Sequence, residues 1–223
     1  MKKLQITIFA ISLTVAMSGS AQIIYTGTDL NGLNYVGDTG DAQYVPASGP
    51  TPAYAALYTP DASTSGDSPT VFVRPPTGTT LSTLSGSYDL LSSGPGPGNV
   101  QPYWALWVGT ASTYKAVLYS LGGTPLTSSS TMHAFYPDLS TALGTWGNTL
   151  SQFDAITIGG VALGDMTVYW VGLEIGEGGS GAANANIDSI TVVPEPTTIT
   201  IIIAGACLLL PFTLRMRRKT CAA

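Results

Sequence analysis

Glycines, prolines and aspartates cut residues 22–193 into short runs of β-branched and aromatic residues. A helix is hard to place anywhere among them, apart from a turn around residues 137–144. Segments 23–26, 53–58, 70–74 and 79–84 are short strand candidates between Gly, Pro and Asp clusters. Segments 103–108, 115–121, 155–158, 166–175 and 187–193 are clearer, being aromatic or β-branched. Residues 46–52, 60–69 and 92–102 read as loops, the last carrying Gly94-Pro95-Gly96-Pro97-Gly98. Many short strands with turn signals between them predict an all-β fold, a β-sandwich or jelly roll. No fixed-period repeat supports a propeller or solenoid. In 166–175, period two puts Tyr169, Val171, Leu173 and Ile175 on a core face, and Val168, Trp170, Gly172 and Glu174 on a mixed one.

Residues 22–196, about 175 residues, are enough for one domain with a real core. Only Arg74 and Lys115 are basic there, against all 13 acidic residues of the chain, so the body carries a net charge near −11. Few charges and many Gly, Ser, Thr, Pro and Tyr residues describe an extracellular β-protein with a hydroxyl-rich surface. Nucleic-acid binding is disfavoured, because no basic patch exists to neutralise phosphates. Cys207 and Cys221 both lie beyond the body, so no disulfide can staple it.

The two ends address the chain. Lys2 and Lys3, an apolar core over residues 6–15 and the small Gly19 and Ala21 describe a signal peptide over residues 1–21, cut before Gln22. Near the other end, Pro194-Glu195-Pro196 leads into an apolar run over residues 199–214, closed by Arg215, Arg217, Arg218 and Lys219. As a helix that run is about 24 Å long against a hydrocarbon core of about 30 Å, and Thr197 and Thr198 extend it. Basic flanks stay cytoplasmic, which puts the body outside.

Tripeptide, apolar helix and Arg-rich end, in that order at the terminus, resemble the PEP-CTERM class of exported bacterial proteins. That resemblance implies sorting by a membrane-embedded exosortase that recognises Pro194, Glu195 and Pro196 and cuts near them, with Arg215, Arg217 and Arg218 as the basic end. The implied partners are the exosortase, signal peptidase and the general secretion machinery. Ile187-Asp188-Ser189-Ile190 is also similar to the closing strand of lectin-like jelly rolls. The expected organisation is a signal peptide (1–21), an extracellular β-sandwich (22–193), a sorting segment (194–219) and a short cytoplasmic end (220–223). The protein would be held in the membrane transiently, then displayed at the cell surface or released.

Chemistry is sparse. His133 is the only histidine, which excludes multi-histidine zinc sites; Asp138 or Asp154 could orient it beside a serine, but no nucleophile elbow is present. Glu174 with Asp154 or Asp165 would make a glycosidase pair only if the strands bring them within about 5–9 Å. Asp38, Asp41, Glu177 and Asp188 are oxygen ligands in glycine-rich surroundings that calcium could use, though they do not follow the hand-motif spacing. Tyr103, Trp104, Trp107, Trp146 and Trp170 are the candidate rings for stacking on a glycan, with packing in the sandwich core as the alternative use. No catalytic residue is assigned. The reading that follows is an exported structural protein of the envelope, matrix or biofilm; the alternatives are a carbohydrate-binding surface module contacting exopolysaccharide and a polysaccharide-active enzyme.

The mature protein isolated from its own host is expected to have an intact mass that starts at Gln22 and ends near residue 196. A mass running through Ala223 would instead describe a plain membrane anchor with Pro-Glu-Pro as spacer.

Overall fold

Period-two burial runs along the longer strands and sets two antiparallel sheets face to face. The computed structural model describes residues 22–37, 41–60, 68–91, 100–110, 113–121, 125–176 and 182–194. The expected signal peptide and membrane helix, the basic tail, Glu195, Pro196 and both cysteines lie outside the described residues. In chain order the strands are β1 (Ile23–Thr26), β2 (Asn34–Val36), β3 (Ala42–Val45), β4 (Tyr54–Thr59), β5 (Thr70–Val73), β6 (Leu84–Leu90), β7 (Tyr103–Thr110) and β8 (Thr113–Ser120). They continue with β9 (Thr131–Phe135), β10 (Ala142–Thr149), the helix α1 (Leu150–Asp154), β11 (Thr157–Ile158), β12 (Val161–Ala162), β13 (Thr167–Glu174) and β14 (Ala183–Pro194). Among the described residues no helix is long and apolar enough to cross a membrane.

The first sheet is organised by β14, which pairs β6 along one side and β4 followed by β1 along the other, with β3 outside β4. The second has seven strands in the order β10-β9-β8-β7-β13-β5-β2. Between them lie Leu57, Leu84, Tyr88, Ile187, Ile190 and Val192 from the first sheet, and Val71, Val73, Trp104, Leu106, Leu118, Met132, Val171 and Leu173 from the second. Trp104 is 0% exposed and bridges the layers. Its ring lies 5.6 Å from that of Tyr88, whose hydroxyl donates to the Pro102 carbonyl at 2.6 Å and whose pKa burial pushes up to about 12. Opposite, a Cβ on Gly86 would stand 3.0 Å from Trp104 Cη2 and 3.1 Å from the Thr191 carbonyl oxygen, so β6 needs glycine where the indole seats.

The β-sandwich expected from sequence is present, with differences of local physical origin. Segment 79–84 is no strand: Thr83 Oγ1 accepts from the Thr80 N–H at 3.2 Å and closes a 3-10 turn at Leu81–Thr83, after which β6 begins. Segment 155–158 becomes a strand only at Thr157–Ile158, because the Thr149 N–H donates to Gln152 Oε1 at 2.8 Å and starts α1 just before it. β2, β3, β9 and β10 go beyond the expected strands. β10 is masked in sequence by Gly144 and Gly147, which take φ of 73° and 83° where its register with β9 slips. The turn at 137–144 is shorter than expected and ends at Thr141; Asp138 Oδ1 accepts from the N–H groups of Ser140 and Thr141 at 3.0 and 3.1 Å. In β13 the alternation breaks at Tyr169, the extra residue between the pairs Val168–Val108 and Trp170–Trp107. Val168 is therefore in the core with Val171 and Leu173, and Tyr169 is half-exposed, the reverse of the phase expected for those two.

Trp104→Ala is expected to cost about 3–5 kcal/mol by urea denaturation followed by circular dichroism. Trp104→Phe should cost clearly less, since the indole N–H has no hydrogen-bond partner among the described residues and none is lost.

Candidate functional site

The seven-stranded sheet turns its second face outward, and that face is aromatic. Register places its residues side by side: Asn34 opposite Phe72, Phe72 opposite Gly172, Trp170 opposite Trp107 and Trp107 opposite Val117. Gly172 matters here, because a Cβ would come within 2.9 Å of Phe72 Cε1; its absence lets the phenyl ring lie across β13. Two bulges then bring in more rings. Lys115 is the extra residue on β8 between the pairs Ala116–Val108 and Tyr114–Gly109, and Tyr169 is the extra residue on β13. They fall on adjacent steps of β7, one on either side of Val108, and each brings a tyrosine to the outer face.

The result is a groove of about 470 Å³ lined by Asn34, Tyr35, Val36, Phe72, Arg74, Trp107, Tyr114 and Trp170. Trp170 is its centre. The Arg74 guanidinium carbon stands 4.4 Å from the Trp170 ring centroid, Phe72 meets that indole edge-on at 6.0 Å, and the indole N–H donates to Tyr114 Oη at 3.0 Å. Tyr114 packs edge-on against both Trp107 and Tyr169 at 5.4 Å. A second depression of about 310 Å³ shares Arg74, Tyr114 and Trp170 and continues over Pro75, Pro76, Gly78 and Tyr169. Among the described residues no carboxylate lines either one. Broad apolar ring faces with a few donors at the rim suit a ligand that has flat apolar faces and hydroxyl or anionic edges.

Only two of the five candidate rings, Trp107 and Trp170, reach this groove. Trp104 is sealed in the core and cannot stack on a ligand, since it is one residue out of phase with Trp107 and Tyr103 on β7. Tyr103 is half-buried at the other end of the sheet, its hydroxyl donating to Glu174 Oε1 at 2.7 Å and its ring set edge-on to Tyr119 at 6.1 Å. Trp146 is 65% exposed on β10, separated from β7 by β9 and β8, with its ring 3.9 Å from that of His133. Sequence reasoning missed Asn34, Phe72, Arg74, Tyr114 and Tyr169. The spacing Phe72-x-Arg74 was the available signal, since both residues share a face by strand alternation.

The candidate catalytic groups do not assemble. Glu174 ends β13, whereas Asp165 precedes its start, on the order of 25 Å away along the strand and far beyond the reach of a glycosidase pair. Asp165 instead neighbours Asp154, whose pKa is raised by burial and then by that second charge. His133 is 8% exposed, and neither ring nitrogen has a hydrogen-bond partner among the described residues, so neither Asp138 nor Asp154 orients it. Of the calcium candidates, Asp38 and Glu177 lie outside the described residues. Asp41, before β3, and Asp188, in β14, stand on the order of 15 Å apart across two strand spacings. Among the described residues no group of three His, Cys, Asp or Glu could hold a metal ion.

No family model matches the chain, and no curated protein does. Among solved structures, the chain is similar to a Family 11 carbohydrate-binding module from Clostridium thermocellum in complex with a beta-1,3-1,4-mixed-linked tetrasaccharide. The identity is 12%, the TM-score 0.37, and the match covers 78% of this chain and 89% of that one. Likeness at that level carries no ligand assignment, and the groove has to be read from its own residues.

Burial holds the pKa of His133 below its ordinary 6.5. His133 therefore contributes stability that is present above pH 6.5 and is lost as pH falls through its folded pKa. Trp146→Ala uncovers the ring, so the His133 pKa is expected to rise toward 6.5 and the acid loss of stability to shrink. The C–H resonances of this single histidine, titrated by NMR, report it directly.

Proposed function

We propose that the chain is an exported surface protein whose β-sandwich binds a glycan in the groove around Trp170. The observation that carries this reading is the set of ring faces from four adjacent strands, Phe72, Trp170, Trp107 and Tyr114, left open to solvent as one groove in a protein with an otherwise well-filled core. Aromatic faces of this kind stack on the apolar faces of sugar rings, while Asn34 and Arg74 supply donors for hydroxyl or anionic groups. The proposed activity is binding without turnover: among the described residues no carboxylate lines the groove to serve as the general acid of glycosidic cleavage.

Export and sorting belong to the same proposal. β14 closes the sandwich and runs to Pro194, the first residue of the Pro-Glu-Pro segment. A sandwich that ends there would be held close to the membrane before exosortase processing and would then enter the envelope or extracellular matrix carrying its glycan-binding face. Contact with exopolysaccharide would make it a structural component of a biofilm matrix rather than an enzyme acting on it.

The test is a glycan array probed with the full chain in mild detergent, followed by titration calorimetry on any hit. Trp107→Ala and Trp170→Ala are each expected to weaken binding tenfold or more, equivalent to about 1.4 kcal/mol. Binding that survives both substitutions would remove the groove from the proposal, and a protein that binds no glycan at all would remove the function.

A further inference from the structure

We propose that the groove selects an acidic glycan, one whose sugar rings carry carboxylates, and that Arg74 is the residue that reads the carboxylate. This rests on the glycan-binding reading of the groove and narrows it to a ligand class.

The argument starts from charge placement. Residues 22–196 contain only two basic residues, Arg74 and Lys115, against 13 acidic ones. Arg74 lines both depressions. Lys115 follows Tyr114, another residue common to both, and lies two positions from Val117, which packs on the outer face with Tyr103 and Trp107. One of the two cations of an acidic body, Arg74, therefore stands in an aromatic groove that no carboxylate among the described residues lines.

Arg74 is also held in a form suited to recognition. It is exposed, and its guanidinium is stacked on Trp170 at 4.4 Å rather than paired with a carboxylate among the described residues. Its carbonyl accepts from the Tyr25 hydroxyl at 3.1 Å, which ties the end of β5 to β1 of the other sheet. Stacking uses one face of the guanidinium and leaves its N–H edge free, and that edge matches a carboxylate with two parallel hydrogen bonds. Trp107 and Tyr114 stand beside it for the sugar ring that bears the acid. In a body rich in acids, an arginine with a purely structural role would have partners to hand.

The net charge near −11 does not argue against this. At physiological salt the screening length is about 8 Å, so distant acids are largely hidden from a ligand in the groove, whereas a contact pair on an aromatic surface is screened less. Selection acts by contact and not by long-range attraction.

The experiment compares the full chain, in mild detergent with a calcium chelator present, on alginate, polygalacturonate and glucuronate-containing polysaccharides, each beside its carboxyl-reduced counterpart of identical linkage. At least one acidic form is expected to bind tenfold or more tightly than its reduced counterpart at physiological salt. Arg74→Gln should abolish that difference while leaving any binding of the reduced form within about twofold, and Arg74→Lys should restore part of it. Circular dichroism of the variants checks folding. Binding of reduced or neutral glycans with no preference for the acid would overturn the acidic specificity and leave the glycan-binding reading standing. A preference for the acid that Arg74→Gln leaves intact would overturn the role of Arg74. Failure to bind any glycan, acidic or neutral, would overturn both.

Discussion

The indole of Trp104 seated on Gly86 and Tyr88 is the contact on which the rest of the structure depends. It joins the middle of the seven-stranded sheet to β6 across the full thickness of the core, in a body with no disulfide to do so. Once Trp104 points inward, alternation along β7 sends Tyr103 and Trp107 outward. The same residue that closes the core thus determines which tryptophan is left for the surface.

That outward face would be a plain aromatic sheet without the bulges on either side of β7. Lys115 on β8 and Tyr169 on β13 are each one residue too many for the ladder, on adjacent steps of the strand between them. Bulges add twist and turn side chains that regular alternation would bury. Here they bring Tyr114 and Tyr169 together edge-on and let Trp170 donate to Tyr114. The groove is a product of two ladder defects, each local, that fall on adjacent steps of β7.

Much of the architecture was legible along the chain, for a stated reason in each case. Val71, Val73, Leu106, Val171 and Leu173 sit in the core because period two and apolar character coincide there. β10 was hidden by glycines that serve a register slip, and α1 by its brevity. The site was less legible: Trp107 and Trp170 could be named as candidates, but Trp104 carried the same chemical label and went to the core, while Arg74 stood out only as one of the body's two basic residues and Tyr114 as one tyrosine among 11.

By itself, the sequence determined an all-β class, an acidic, cysteine-free body and a scarcity of catalytic chemistry, because composition and period are properties of the chain read in order. The tertiary structure alone decided which rings share a face, that the two bulges fall on adjacent steps of β7, and that Arg74 comes to the same groove as Trp107 and Trp170. Those relations join β13 to β5 and β7, which lie far from it in the chain, and they exist only once sheet register brings β5, β7, β8 and β13 side by side.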